Sequence, residues 1–545
     1  MKREPALRTY HSYVGGRDIP GAASVYVVSG RALLDDAFAS LALKRRLERG
    51  GQPDGDLPPA IVGKVARADR ETVLAGLRSA AEAAPEWGAT PPEVRITGVG
   101  KRIHDALIRH ADTIVEVLVH EGHPVSLARW QVSGMLECFG PQSLGFYLQQ
   151  SRQEYTHGRR TIVIRRRADG VVCLNPPQNA PLSSALLGAT SIMAGNALVV
   201  RAPRSAPLGV MFVMRELVAP ALEEVGAPAG TLNLVCGDPA AMLSLWLESP
   251  LVDDVMYFGT SENGLRFQER CVAAGKKPIL ELAGNDVVAV WKDADLEQAA
   301  VAVTEGCYGS GQLCMVPNQV LVHPAAADEL LRRLVGELAR LRPGHPDEDG
   351  VLLTPVLRNE KFFDCLRDAL GKGATLVCGG HAMQLDGTRD DTGMFLEPTV
   401  VRVDGMARAR EIEAVRRETF FPLIPVVVAE PAPDDVLLDR FIGFVNTNEY
   451  GLRNSIWARD EAVVERFVSR IGNGGLLKVN DSHIGFLPYL PTHGGTGLTG
   501  GVYGEANYPV LRTSHLQGVS LSPGERPREA VFSAWEALAA REDAR

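Results

Sequence analysis

The sequence predicts an α/β protein built on a doubly wound parallel sheet, and two observations support this prediction. From about residue 160 onward, short apolar runs typical of strands alternate with longer runs of helical periodicity. The chain has 545 residues, which is enough to bury a large core and to form two or three domains. We therefore expect parallel strands in the interior of the protein and helices on both faces of the sheet.

The first 150 residues predict one strand followed mainly by helices. Residues 22–30 are typical of a strand, and residues 31–49 have the apolar spacing of a helix. An amphipathic helix is predicted from Glu71 to Ala84, ending before Pro85 because proline lacks the N–H that continues a helix. Residues 97–150 repeat apolar side chains at three- and four-residue steps and are predicted to be mainly helical.

Beyond residue 160 the alternation itself becomes visible. Strands are predicted at 161–165, 171–174, 197–200, 232–235, 255–258, 287–291, 319–322, 375–377 and 423–428. Helices are predicted between the earlier of these strands, at 183–192, 207–225 and 262–274. Residues 522–545 predict a proline-led linker and a short amphipathic helix.

Composition excludes several classes of protein. A net charge of −9 without a long basic stripe argues against a nucleic-acid-binding surface. Eight cysteines without a CxxC pair fit neither a disulfide framework nor a zinc ribbon, so we expect reduced thiols and no metal site. The most apolar stretch, residues 184–200, is too interrupted to span a membrane, and no secretory signal is visible. The sequence predicts a soluble cytoplasmic protein.

Two residues suggest covalent chemistry. Cys314 closes a Gly-Ser-Gly-Gln loop that we expect to lead into a helix, whose N-terminus would lower the pKa of the thiol. Glu281 follows an apolar run and precedes a glycine turn, so partial burial would raise its pKa towards that of a useful base. A thiol nucleophile and a carboxylate base are the groups needed to form an acyl-enzyme from an aldehyde and then to hydrolyse it.

An ordered series of motifs extends this pair. In sequence order, they are Pro-Pro-Gln-Asn-Ala-Pro at 176–181, Gly195-Asn196 with Val-Val-Arg at 199–201, Phe-Gly-Thr-Ser-Glu-Asn-Gly at 258–264, the Glu281 and Cys314 segments, Glu-Thr-Phe-Phe-Pro at 418–422, Asn-Glu-Tyr-Gly-Leu at 448–452 and His-Gly-Gly at 493–495. Each motif alone is weak, but the series over about 350 residues is specific. Residues 160–515 thereby resemble the NAD(P)-dependent aldehyde dehydrogenase superfamily.

This resemblance implies an aldehyde-dehydrogenase-like architecture, with a Rossmann-type cofactor domain, an α/β catalytic domain and a small β oligomerisation arm. The expected ranges are 1–145 and 170–281 for the cofactor domain, 282–485 for the catalytic domain, 146–169 and 486–521 for the arm, and 522–545 for a C-terminal extension. The arm implies a homodimer or homotetramer formed by sheet extension.

The resemblance also implies roles for three catalytic residues. Cys314, which stands two residues after the Gln of its motif, is the nucleophile that forms a thiohemiacetal, while Cys307 is a packing residue. The amide of Asn179 binds the oxyanion, and Glu281 activates water to hydrolyse the thioester. The expected reaction is oxidation of an aldehyde to a carboxylic acid.

Cofactor binding is assigned in the same way. Gly259, Thr260 and Gly264 form the phosphate-side turn, which has the spacing GxxxxG. Glu418 and Phe420 are expected to hold the nicotinamide ribose and ring.

Two arginines influence which cofactor, NAD or NADP, the resemblance implies. Arg201 replaces the family's usual lysine beside the adenosine ribose, and Arg204 stands where NAD-preferring members often have a glutamate. Since an arginine can bind a 2′-phosphate that a carboxylate would repel, the pair favours NADP slightly over NAD.

The expected substrate pocket departs from the family pattern. Ala180 stands where an aromatic residue is common, Ser183 and Ser184 replace bulky apolar residues, and His483 and His493 occupy or flank the opposite wall. We therefore expect an aldehyde that is bulkier or more polar than a short aliphatic one. Residues 31–57 form an apparent insertion, which could cover a sheet edge, extend an oligomer interface or be a mobile excursion.

Three alternatives remain open from the sequence. A thioacylating dehydrogenase would pass the acyl group to coenzyme A, but members of that kind often lack the general-base glutamate, so Glu281 favours hydrolysis. A cofactor-independent cysteine hydrolase or acyltransferase would leave the cofactor motifs unexplained. A binding or scaffold protein would not need Cys314, Glu281 and Asn179 together.

Overall fold

The computed structural model describes residues 7–51, 57–490, 493–504, 506–524 and 526–542. Each of the ten predicted strand runs overlaps one strand, and the described residues form sixteen further strands that the sequence patterns do not predict. The strands are β1 Arg8–Tyr10, β2 Ser12–Val14, β3 Arg17–Ile19, β4 Ala23–Val28, β5 Ile61–Arg67, β6 Arg152–His157, β7 Arg160–Ala168, β8 Val171–Asn175, β9 Ala197–Ala202, β10 Leu232–Cys236, β11 Asp254–Phe258, β12 Lys277–Glu281, β13 Asp286–Val290, β14 Pro317–Val322, β15 Thr375–Cys378, β16 Ala382–Met383, β17 Phe395–Leu396, β18 Thr399–Asp404, β19 Leu423–Val428, β20 Tyr450–Gly451, β21 Arg453–Trp457, β22 Leu476–Val479, β23 His493–Gly494, β24 Thr496–Gly497, β25 Ala506–Asn507 and β26 Ser514–Leu521.

The helices connect these strands and cover the sheets. They are α1 Gly30–Asp35, α2 Ala37–Glu48, α3 Arg70–Ala89, α4 Val99–His120, α5 Val125–Cys138, α6 Pro141–Ser151, α7 Pro181–Ala194, α8 Leu208–Phe212, α9 Ala219–Glu224, α10 Pro239–Glu248, α11 Ser261–Ala273, α12 Leu296–Thr304, α13 Ala327–Leu338, α14 Asn359–Gly371, α15 Met406–Ala409, α16 Glu413–Arg416, α17 Asp434–Asn446, α18 Glu461–Arg470, α19 Pro509–Arg512 and α20 Pro527–Glu542. Short π-helical segments at Glu93–Gly98 and Val213–Val218 and 3₁₀ segments at Glu305–Gly311 and Pro324–Ala326 extend some of them.

Two seven-stranded sheets form the centre of the protein. The first has the order β12-β11-β8-β9-β10-β2-β3, and its first five strands are parallel. The second has the order β15-β18-β19-β14-β13-β21-β22 and is parallel except for β15. Every residue of β8, β9 and β10 is buried, as expected for mainly apolar strands in a sheet that helices cover on both faces. The predicted doubly wound α/β class is confirmed.

A small antiparallel sheet, β26-β7-β6, stands apart from the two large ones. Most side chains of β6 and β26 are exposed, including Tyr155 and Leu516. After β26 the chain forms the predicted C-terminal helix α20, whose apolar side chains Val531, Phe532 and Trp535 are also exposed.

The N-terminal segment forms a third layer, and it contains the apparent insertion. Strands β1, β5 and β4 make a three-stranded sheet, and helix α2 packs against it through Leu47, which is buried with Val28 and Ile61. The predicted helix over 31–49 is divided at Asp36, whose carboxylate accepts a hydrogen bond from the N–H of Ala39 and so begins α2. Residues 52–56 of the insertion lie outside the described part of the chain.

The predicted helix end before Pro85 is wrong. Helix α3 continues through Pro85 to Ala89, although the proline cannot donate its share of the hydrogen-bond ladder. Trp87, in the turn after the proline, is 1% exposed, and its Nε1–H donates a hydrogen bond of 2.8 Å to the carbonyl of Ile192. Tertiary burial of this side chain therefore outweighs the local cost of the proline.

Among the described residues, no helix combines the length and apolar character needed to cross a membrane.

Candidate active site

The first large sheet ends at a carboxylate that faces a thiol. Glu281 is the last residue of β12 and is 3% exposed. Its Oε1 lies 3.8 Å from Sγ of Cys314, and its Oε2 accepts a hydrogen bond of 2.9 Å from the N–H of Gly494. The second oxygen is thus fixed by the backbone, while the first faces the sulfur.

Cys314 lies on a strained loop rather than at a helix N-terminus. Three consecutive residues, Gly309, Ser310 and Gly311, have φ of 60°, 53° and 71°, and they end the helical path that runs through α12. The chain then passes Cys314 and enters β14 at Pro317. The predicted helix after the loop is therefore wrong, because left-handed backbone on one side and a buried strand on the other leave no room for a helical turn.

The pKa of Cys314 also differs from the prediction. Burial raises the pKa of this thiol well above its usual value, and the carboxylates of Glu281 and Glu418 raise it further. The guanidinium of Arg453 acts in the opposite direction but does not reverse the shift. The side chains around the sulfur therefore favour the protonated thiol at neutral pH.

Asn179 lies beside the same loop. It follows β8 in the proline-rich turn, and its Nδ2 donates a hydrogen bond of 3.0 Å to the carbonyl of Gln312. Gln312 is itself held by its side chain, which donates to Oγ1 of Thr354 at 3.0 Å. Since an amide NH₂ carries two hydrogens, the second remains for an oxygen close to Cys314.

Glu418 and Phe420 bound the site on the side of the second sheet. Oε1 of Glu418 accepts a hydrogen bond of 3.0 Å from the N–H of Gly284, and burial raises the pKa of this carboxyl to about 8. Phe420 has φ of +60°, a strained value for an aromatic residue, and its ring lines the cavity. The backbone strain turns this side chain towards the cavity.

These groups share one cavity of about 500 Å³. Of the predicted residues, its wall contains Cys314, Glu281, Asn179, Ala180, Ser184, Gly259, Thr260, Glu418 and Phe420. The wall also contains residues that sequence reasoning missed, namely Trp130, Met315, Arg358 and Lys361. No motif marks Trp130; only its place on a helix that borders the catalytic loop brings it to the cavity.

A second cavity of about 570 Å³ adjoins the first, since Pro177 and Phe258 line both. It contains the two predicted arginines. Nε of Arg201 donates to Oδ1 of Asn175, and Nη1 of Arg204 lies 3.9 Å from Oδ2 of Asp238. Lys44 and Glu48 of α2 line the same cavity, although no motif in the sequence indicates this.

The predicted glycine turn lies between the two cavities. Thr260 begins α11 and accepts a hydrogen bond of 3.4 Å from the N–H of Asn263. A Cβ at Gly264 would stand 2.1 Å from Cδ2 of Leu282, so only glycine allows α11 to pack this closely beside Glu281. Cations in one cavity, a helix N-terminus at the junction, and a thiol with carboxylates in the other fit an extended dinucleotide such as NAD or NADP.

Two predicted pocket residues are not on the cavity wall. Ser183 is buried within α7, and its hydroxyl donates to the carbonyl of Ala180 at 3.4 Å. His483 is 1% exposed, with Nδ1 2.6 Å from Oγ of Ser455 and Nε2 3.1 Å from Oδ2 of Asp286. Both predictions are wrong, because these polar side chains are satisfied inside the protein.

The side chain of His493 lies outside what the structure describes. Its backbone belongs to β23, which pairs with β25.

Comparison with known proteins identifies relatives of this chain in sequence and in structure. Residues 58–511 match the model of the aldehyde dehydrogenase family. The NADP⁺-dependent succinate-semialdehyde dehydrogenase of Escherichia coli strain K12 is 28% identical over 463 residues, which cover 83% of this chain and 91% of that protein. The 3,6-anhydro-α-L-galactose dehydrogenase of Streptomyces coelicolor is 26% identical over 522 residues, which cover 93% and 99%. The crystal structure of an NAD-dependent aldehyde dehydrogenase from Sinorhizobium meliloti superposes with a TM-score of 0.79 at 21% identity, covering 96% of this chain and 97% of that one.

Proposed function

Since this chain belongs to the aldehyde dehydrogenase family, we propose that it oxidises an aldehyde to a carboxylic acid with NAD(P)⁺, using Cys314 as nucleophile, Asn179 as oxyanion donor and Glu281 as general base. The observation that supports this most directly is the distance of 3.8 Å between Sγ of Cys314 and Oε1 of Glu281 within one cavity. NAD(P)⁺-dependent aldehyde oxidation follows from family membership; the residue roles are the proposal.

The first step forms a bond between Sγ of Cys314 and the aldehyde carbon. The thiol proton is released to solvent as the thiolate attacks, and the carbonyl electron pair moves onto oxygen, so that Glu281 stays ionised for the second step. The free hydrogen of the Asn179 amide then binds this oxyanion. Bound NAD(P)⁺ supplies the acceptor for the hydride that leaves the carbon, so that a thioester remains on Cys314.

The second step breaks the thioester. Glu281 takes a proton from a water molecule, the hydroxide adds to the acyl carbon, and the C–S bond breaks to return the cysteine. Gly494 holds Oε2 of the glutamate through a 2.9 Å hydrogen bond, which leaves Oε1 facing the reacting centre. A carboxylate so close to the sulfur supports hydrolysis rather than transfer of the acyl group to coenzyme A.

Product analysis tests this proposal. The wild-type enzyme should form equal amounts of acid and NAD(P)H without coenzyme A, and Cys314→Ala should form neither. If acyl-CoA forms when coenzyme A is added and no acid forms when it is left out, the hydrolytic role of Glu281 is contradicted. Residual dehydrogenase activity in Cys314→Ala would contradict the choice of nucleophile.

For the substrate, we propose an aldehyde larger or more polar than acetaldehyde or propanal. Ala180 and Ser184 leave space and a hydroxyl on the cavity wall, which also contains the aromatic side chain of Trp130. The two relatives described above are named for a semialdehyde and an anhydrosugar, which both carry oxygen atoms beyond the aldehyde. Steady-state kinetics on aliphatic, aromatic, carboxylated and hydroxylated aldehydes would test this, and the highest kcat/KM with acetaldehyde or propanal would contradict it.

We further propose that the two large sheets and their helices form the cofactor and catalytic domains, and that the small sheet forms a homo-oligomer interface. The exposed side chains of Tyr155 (51%) and Leu516 (62%) on that sheet support pairing with a second copy. Tyr155→Asp combined with Leu516→Asp should reduce the particle mass measured by light scattering, and an unchanged mass would contradict this interface.

A cytoplasmic location is proposed from the eight free cysteines.

A further inference from the structure

We propose that the insertion helix α2 closes the adenosine end of the cofactor site and that Lys44 selects NADP by binding the 2′-phosphate of its ribose. This inference rests on the proposed function, since it assumes that the second cavity receives the adenosine half of NAD(P). It assigns a role to a segment whose purpose the sequence leaves open.

The position of α2 is fixed by its apolar stripe. Leu47 is buried with Val28 and Ile61, and Leu43, one turn earlier on the same stripe, packs against this cluster. Lys44 and Glu48 each follow one of these leucines, so they form the adjacent stripe. That stripe lies on the wall of the second cavity together with Arg201 and Arg204. Burial of the leucines therefore places Lys44 in the site rather than leaving it free in solvent.

Three cationic side chains line this cavity, and the two carboxylates closest to them, Glu48 and Asp238, are already bound by other groups of the protein. Oε1 of Glu48 accepts a hydrogen bond of 3.3 Å from the N–H of Tyr26 and lies 3.9 Å from Nζ of Lys44. Asp238 begins helix α10, where its Oδ1 accepts a hydrogen bond of 3.0 Å from the N–H of Ala241. Both carboxylates are thus engaged by the protein.

Arg204 provides a second, independent observation. Its Nε is buried and has no hydrogen-bond partner among the described residues, although an arginine Nε–H is a strong donor. Its Nη1 has only a distant contact, 3.9 Å, with Oδ2 of Asp238. A phosphate offers several anionic oxygens that form charge-assisted hydrogen bonds with Arg204 and Lys44 together, whereas a ribose hydroxyl is neutral and does not compensate their charges. This favours a phosphorylated ribose as the ligand.

Arg201 completes the set of cations. Its Nε–H is used by Oδ1 of Asn175, which orients the guanidinium at the end of β9 beside Pro177 and Phe258. Arg201 lies near the end of β9 and Arg204 in the loop that follows, whereas Lys44 comes from a segment more than 150 residues earlier in the chain. The insertion therefore adds a third cation to this cavity from a distant segment of the chain.

Binding of nucleotide fragments to the full-length protein tests this without any aldehyde. Isothermal titration calorimetry would compare adenosine 2′,5′-bisphosphate with 5′-AMP for the wild type, Lys44→Ala and Arg45→Ala. Arg45→Ala is the matched control, because it removes the same charge from an exposed position on the same helix. Loss of a charge-assisted hydrogen bond should weaken the bisphosphate by about 10- to 100-fold in Lys44→Ala and leave 5′-AMP within about twofold. Arg45→Ala should change neither.

Several results would overturn the inference. One is equal affinity of the wild type for the two fragments, and another is unchanged binding in Lys44→Ala. A third is an equal loss of affinity for both fragments in Lys44→Ala, which would indicate a structural role for the lysine. Weaker 5′-AMP binding in Glu48→Gln would instead assign α2 to the ribose hydroxyls of NAD. Because the assay requires no catalysis, failure to form acid from an aldehyde would bear on the proposed function alone. As a kinetic check, Lys44→Ala should raise the KM of NADP⁺ but not that of NAD⁺.

Discussion

Sγ of Cys314 and Oε1 of Glu281 lie 3.8 Å apart, at the junction of the two large sheets. The glutamate ends the first sheet, and the cysteine precedes the strand β14 of the second. Each sheet thus contributes one of the two groups, and the cavity between them contains both. This arrangement makes each role separately testable.

Replacing the carboxylate should separate the two halves of the reaction. Glu281→Gln keeps the size of the side chain but cannot accept a proton from water, so thioester hydrolysis should fall by about 10²- to 10⁴-fold. We expect stopped-flow traces to show a burst of NAD(P)H close to the enzyme concentration, followed by a slow steady state. The acyl-enzyme should be visible by mass spectrometry on the peptide that contains Cys314. Absence of both burst and acyl-enzyme would instead indicate that the glutamate is needed earlier, for removal of the thiol proton.

Asn179→Ala should slow formation of the thioester. Loss of one oxyanion donor typically lowers kcat by about 10²- to 10³-fold, and no burst should then be seen. The same amide also donates to the carbonyl of Gln312, so the loop that carries Cys314 must be checked. Alkylation of Cys314 by iodoacetamide should stay within about twofold of the wild-type rate if the loop is intact. A kcat within tenfold of the wild type would remove Asn179 from the oxyanion site.

Close packing at Gly264 should be detectable as a stability change. Gly264→Ala adds a methyl group 2.1 Å from Cδ2 of Leu282, and such overpacking costs about 1–3 kcal/mol. We expect a lower Tm and a higher KM for the cofactor, since the N-terminus of α11 must move. Leu282→Ala removes the clashing group, so the double variant should be no less stable than Leu282→Ala alone. Strictly additive losses in Tm would show that the two side chains do not conflict.

Much of the fold was predictable because its signals are local. Continuous apolar runs such as residues 197–200 predict buried parallel strands by themselves, and every residue of β9, which contains this run, is buried. The catalytic pair and Asn179 were found through motifs, and the structure brings them into one cavity. The path after Gly311 was not predictable, because glycines permit both a helix start and a left-handed turn, and the strand that follows decides between them.

The wrong predictions depend on contacts between distant segments. His483 was expected in the pocket, but its partner Asp286 is 197 residues away and no pattern in the sequence links them. No sequence pattern assigns Lys44 to the cofactor site, because the docking of α2 is decided by burial of Leu47 against β4 and β5. Local periodicity specifies that α2 is a helix, but only tertiary packing specifies what its polar stripe faces.

The raised pKa of Cys314 predicts slow alkylation at neutral pH. Because burial and the carboxylates of Glu281 and Glu418 disfavour the thiolate, the folded-state pKa lies above that of a free thiol, and the reactive fraction grows only as pH rises towards that value. Without nucleotide, the iodoacetamide rate at Cys314 should therefore increase steadily between about pH 7 and pH 9 and remain below that of free cysteine.

Glu281→Gln provides the test of cause, since it removes a negative charge next to the sulfur. Its pH profile should shift to lower pH, and the rate at pH 8 should rise severalfold. Glu262→Gln, an exposed carboxylate on α11, should leave the profile unchanged, and Cys314→Ala gives the background from the other cysteines. Fast alkylation of the wild type at pH 7, or a shift of Glu281→Gln to higher pH, would show that these carboxylates do not control the thiol.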